Sequence, residues 1–75
     1  MNLQNIQHGK QYIIREIACL DKALTSKILA LGMIPGEFIE LMHKAPLGDP
    51  MQIKAGSTYI SIRRKDGLFV EVDVL

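Results

Sequence analysis

Hydrophobic spacing along the chain changes period several times, and each change marks an element. Residues 3–9 form a short lead-in with one helical turn, ending at His8-Gly9. From Gln11 to Ile17 the chain is rich in Ile and Tyr, as strands are. Ile13 and Ile14 are adjacent and point to opposite faces, so both are expected to be partly buried. Leu20, Leu24, Ile28 and Leu31 then recur at spacings of four, four and three, one stripe of a helix about three turns long. Asp21 is its expected N-cap. A helix of that length is unstable alone in water, so its stripe must pack on a sheet.

The helix ends where glycine and proline begin. Gly32 suits a helix C′ position, which favours φ > 0. Pro35-Gly36 reads as a type II turn. Period two takes over from Phe38 to Lys44: Ile39 and Leu41 share one face with His43, and Phe38, Glu40 and Met42 share the other. Ala45-Pro46-Leu47-Gly48-Asp49-Pro50 is a stiff loop, with two fixed proline φ values around a permissive glycine. Met51, Ile53 and Ala55 alternate with polar residues. Gly56-Ser57 signals a type II′ hairpin, Ile60 and Ile62 continue the alternation, and Arg64 to Gly67 turn the chain. Val70, Val72 and Val74 form the last strand.

Five short strands and one helix in so short a chain favour closure, which removes exposed edges. The expected fold is mainly β, an SH3-like β-barrel of about five strands with one inserted α-helix. Residues 1–75 form one domain, since 75 residues leave no room for a second core. A chain this size buries only about 60% of its unfolded surface, so stability is expected to be modest.

Composition narrows the chemistry. Nine basic and eight acidic residues give a net charge of +1, without the strongly basic balance of a nucleic-acid-binding domain. The one basic cluster, Arg63-Arg64-Lys65, is followed by Asp66, Glu71 and Asp73 and reads as a solvated turn. No apolar run reaches the ~18 residues of a membrane span, and the first residues carry no signal-peptide pattern. The single cysteine, Cys19, has no partner for an internal disulfide, which fits a reducing cytoplasm.

No catalytic constellation is expected. His8 and His43 lie outside any nucleophile motif, and Cys19, between Ala18 and Leu20, reads as a small buried hydrophobe. Neither a Walker A loop nor a G-x-G-x-x-G follows a strand. Potential metal ligands (Cys19, His8, His43, Met33, Met42 and Met51) form no C-x-x-C, H-x-x-x-H or carboxylate cluster, so no metal or cofactor site is assigned. With no tryptophan and only four aromatic residues, an aromatic groove for proline-rich peptides is also poorly supported. What remains is surface. Leu29 and Met33 near the helix end, and Phe38 and Met42 on the outer face of the following strand, are the candidate partner-binding residues. The competing reading is a second, minor core between helix and barrel.

Leu29-Ala30-Leu31-Gly32-Met33-Ile34-Pro35-Gly36, followed by Ala45-Pro46-Leu47-Gly48-Asp49-Pro50, resembles the FeoA family of bacterial ferrous iron transport. Ile60-Ser61-Ile62-Arg63-Arg64-Lys65-Asp66 and Val70-Glu71-Val72 are similar to it too, so the resemblance covers essentially the whole chain. It implies an SH3-like barrel with a helical insertion. It also implies a non-enzymatic, cytoplasmic accessory role beside FeoB, the membrane GTPase transporter that carries the iron-translocating and nucleotide chemistry. On this reading the chain itself does not insert in the membrane, and reaches it only peripherally, through the transporter. No catalytic, cofactor or metal residue comes with the motifs. The same domain type occurs in metal-dependent repressors of the DtxR kind, beside a helix-turn-helix domain that this sequence does not contain. Two alternatives stay open: a small nucleic-acid-binding barrel using Arg63, Arg64 and Lys65, and a direct Fe²⁺ carrier.

Overall fold

The computed structural model describes residues 1–75 throughout. Five strands are present: β1 (Gln11–Ile17), β2 (Phe38–Lys44), β3 (Met51–Ala55), β4 (Thr58–Ile62) and β5 (Val70–Val74). They form one sheet in the order β4-β3-β2-β1-β5, with every neighbouring pair antiparallel. A helix, α1 (Lys22–Ala30), lies between β1 and β2, and a single helical turn, α2 (Arg64–Gly67), joins β4 to β5. Short 3-10 turns occupy Leu3–Asn5 and Pro46–Gly48.

Inward residues from all five strands meet in one cluster. Tyr12 and Ile14 (β1), Ile39 and Leu41 (β2), Met51 and Ile53 (β3), Ile60 and Ile62 (β4), and Val70 and Val72 (β5) are buried together with Ile28 of α1. The two edge strands, β4 and β5, thus contribute to the same core although they do not pair. The sheet is an SH3-like barrel left open between them.

Two irregularities bend it. The β1–β5 register shifts between Ile14 and Glu16, and the β2–β3 register shifts between Leu41 and His43. Each adds a residue to one strand, which increases local twist and helps the sheet curve. The second shift also corrects the sequence reading. His43 pairs with Gln52 and is exposed, rather than sharing the core face with Leu41. Strict alternation fails there because the extra residue turns both Met42 and His43 outward.

Local signals account for the helix boundaries. Asp21 Oδ1 accepts from the backbone N–H groups of Ala23 (2.9 Å) and Leu24 (3.3 Å), satisfying two donors of the first turn. Gly32 follows the C-cap with φ +106°, as its C′ role requires. Leu20 does not join the stripe. It precedes the N-cap, outside the helical frame, and is fully exposed. Ile28 is the buried anchor, with Leu24 and Leu31 half-buried against the core.

Turn chemistry is equally direct. The Glu37 N–H donates to Ile34 O at 3.0 Å across Pro35-Gly36, and Gly36 has φ +92°, the geometry of a type II turn. At the hairpin Gly56 has φ +59° while Ser57 stays at negative φ, as a type II′ turn demands.

Candidate partner-binding surface

The four candidate residues fall into different environments. Met33 is fully buried, and its N–H donates to Ile28 O at 3.4 Å as the chain leaves α1. It belongs to the core and is withdrawn as a solvent-facing anchor. The sequence misplaced it because residues just past a helix end follow neither the helical nor the strand period. Leu29, Phe38 and Met42 are exposed, at 39%, 54% and 42%.

Phe38 and Met42 leave the outer face of β2. Across from Phe38 on β1 lies half-buried Ile13, which widens the apolar surface around the ring. Glu40 separates Phe38 from Met42 and is flanked by Gln11 on β1 and Lys54 on β3; Lys54 in turn pairs with Tyr59 of β4. The outer face therefore carries two apolar positions on β2, separated by the polar row Gln11-Glu40-Lys54, and that row ends at an exposed aromatic on β4. Leu29 belongs to the helix layer, whose neighbouring Ile28 faces the core. It does not extend the β2 surface into one stripe.

Three features had no reading in the sequence as partner surface. Tyr59 is 69% exposed on the outer face. Leu47 stands fully exposed at the tip of the Pro46–Gly48 turn with φ +71°, a conformation that a branched residue adopts at a cost. An apolar residue between Pro46 and Gly48 was the available signal for it. The third is a cleft of about 510 Å³ lined by Lys27, Leu31, Asp49, Ser61, Arg63 and Asp66, among others. Its residues come from four separate stretches of chain, so no local pattern announces it.

Charge in that cleft is internally balanced. Asp66, largely buried, lies 3.9 Å from Lys27 Nζ. Asp49 Oδ1 accepts from the Arg64 N–H at 3.1 Å, and Gln4 Nε2 donates to Arg64 O at 2.9 Å. The basic cluster therefore sits on a turn anchored from both sides, with carboxylates beneath it. No three of His, Cys, Asp and Glu converge anywhere in the chain. Cys19 is half-buried, with its thiol 3.7 Å from Asp21 O. No helix is long and apolar enough to cross a membrane.

A small open SH3-like barrel with exposed apolar positions on its outer face defines a compact β domain. The chain matches the FeoA domain family over residues 1–74 and belongs to that family. It is 28% identical over 75 residues to an Fe(2+) transport protein A/Fe(2+) transporter FeoB fusion protein of Porphyromonas gingivalis, covering all of this chain and 9% of the fusion. Iron(II) transport protein A of Clostridium thermocellum superposes with a TM-score of 0.91 at 33% identity, covering all of this chain and 46% of that one. A zinc complex of Stenotrophomonas maltophilia FeoA, described as a prokaryotic SH3 domain protein possibly acting as a ferrous iron transport activating factor, gives 0.82 at 24% identity. That match covers 97% of this chain and 89% of the other, and shows the shared fold. The chain thus spans less than half the length of the first two relatives.

Proposed function

We propose that this chain is a non-enzymatic accessory protein of ferrous iron transport, acting in the cytoplasm by direct contact with the cytoplasmic part of a FeoB-type membrane GTPase transporter. The observation that carries this reading is the fusion. A relative of this chain is joined to FeoB in one polypeptide, which holds the two at high effective concentration. In that arrangement the domain has no need of a reaction of its own. The residues present agree: exposed Phe38 and Met42 on the outer face of β2, and Leu29 on the helix, are apolar anchors of the kind on which small interfaces depend.

Mixing the purified chain with the soluble domain of its transporter, with and without guanine nucleotide, tests the reading. Saturable binding supports it, and absence of binding in every nucleotide state contradicts it.

A further inference from the structure

The two edges of the sheet are treated differently. On β5, the N-terminal segment covers the edge: Val72 N–H donates to Met1 O at 2.9 Å, and Asn2 bridges to Glu71. That strand also carries Glu71 and Asp73, charges of the kind that guard an edge. β4 has none of these protections. Its sequence, Thr-Tyr-Ile-Ser-Ile, contains no charge and no proline, and its pairing with β3 runs without a bulge.

Hairpin geometry fixes which backbone groups of β4 are free. Ala55 and Thr58 flank a two-residue turn, so they form a hydrogen-bonded pair, and alternation makes Ile53–Ile60 and Met51–Ile62 the next two. The N–H and C=O of Tyr59 and Ser61 consequently point away from β3, and no loop or turn hydrogen bond reaches them. Clefts flank this edge on both sides. The one of about 510 Å³ runs beside Ser61, Ile62 and Arg63, and one of about 220 Å³ lies beside Gln52, Tyr59 and Ser61.

We propose that this edge pairs with β4 of a second copy of the chain, antiparallel about a two-fold axis at Ile60. In that register Tyr59 and Ser61 of each copy exchange backbone hydrogen bonds with Ser61 and Tyr59 of the other. Arg63 then falls opposite Ser57 of the second copy, next to Gly56. The Glu37 carboxylate lies against that glycine, so close that an added Cβ would meet it at 2.9 Å. The two-fold therefore brings Arg63 of each copy to the hairpin tip of the other at both ends, where Glu37, approaching from the β2 side, is the nearby carboxylate. This complementarity selects a second copy over an unrelated strand. Thr58 lands opposite Ile62 of the second copy, at the mouth of the larger cleft. So short a contact falls below the area of a standard stable interface, so the dimer is weak and reversible.

Sedimentation of the full chain from low micromolar to millimolar concentration tests this. The average mass is expected to rise toward that of a dimer. Ser61→Pro removes an outward N–H, the one position class where an edge strand tolerates proline, and is expected to abolish association while remaining folded. Arg63→Glu and Glu37→Lys are each expected to lower the association constant several-fold, and the two together to restore it. A parent chain that stays monomeric at millimolar concentration overturns the proposal. So does a folded Ser61→Pro that associates like the parent. If Ser61→Pro does not fold, the charge pair decides alone, and failure of the double change to restore association overturns the proposal.

Discussion

The Asp49 carboxylate accepts a hydrogen bond from the backbone N–H of Arg64 at 3.1 Å, tying the Pro46–Gly48 loop to the turn that leads into β5. Asp49 acts as a cap supplied from a distance, because Arg63, at the N-cap position, makes no side-chain capping bond. Arg64 side-chain atoms also pass 3.5 Å from the point where a Cβ on Gly48 would stand. Loop and turn are therefore one unit, and the residues that the basic cluster offers to solvent are set by it.

Replacing Asp49 with Ala should destabilise the domain by about 1 kcal/mol, the usual worth of an exposed cap. Asp49→Asn, which keeps the acceptor, should lose less. Thermal or urea unfolding of the two variants against the parent measures the difference.

Gly36 and Gly32 separate conformational strain from steric conflict. Both have φ in the left-handed region, but a Cβ at Gly36 meets nothing within 4 Å, whereas one at Gly32 comes within 3.3 Å of Ile60 Cδ1. Gly36→Val should cost more than about 1 kcal/mol from strain alone. Gly32→Val should cost more again, since its methyl groups also press on the core. Equal melting of both variants and the parent would remove the turn and C′ assignments.

Met33 and Met42 lie nine residues apart with opposite environments. Met33→Glu buries an unpaired charge and should cost several kcal/mol, enough to unfold a domain whose total stability is roughly 5 kcal/mol. Met42→Glu sits on an exposed, bulged position and should change stability by less than about 1 kcal/mol. Circular dichroism of the two proteins at room temperature shows this contrast directly.

Much of this was legible before any coordinates. β1 and β2 span the stretches expected of them, the first from its Ile and Tyr content and the second from period two, and the Asp21 cap, the Gly32 stop, the type II turn and the type II′ hairpin each follow from residue chemistry at one site. What escaped depends on distant pairing. The bulge at Met42-His43 exists only relative to β3, and Leu20 fits the helical spacing although it precedes the Asp21 cap and so lies outside the helix. The open seam between β4 and β5, and the cleft joining Lys27 to Asp66, come from tertiary placement. Among the partner candidates, period two correctly exposed Phe38 and Met42 inside a strand, while Met33, in a connector without period, was misread.

Arg63→Gln and Arg64→Gln together should leave iron transport near the parent level, because both residues sit on the turn leading into β5 rather than on the β2 face. A nucleic-acid-binding domain would behave oppositely, losing affinity with a steep dependence on salt. Filter binding to single- and double-stranded DNA and RNA at two salt concentrations, beside the uptake assay, distinguishes the two.

Anaerobic Fe²⁺ titration of the purified chain should give no saturable one-to-one isotherm, since the histidines and Cys19 do not converge with carboxylates. A stoichiometric isotherm lost in His43→Ala or Cys19→Ala would favour a carrier.

The most direct measurement is transporter-dependent ferrous iron uptake in cells whose own copy of this protein is replaced by Phe38→Glu or Met42→Glu. Both variants should fold and accumulate like the parent, bind the transporter's soluble domain at least about tenfold more weakly, as loss of an interface anchor does, and fail to restore uptake. Folded variants that support normal uptake and bind normally would contradict contact through the outer face of β2.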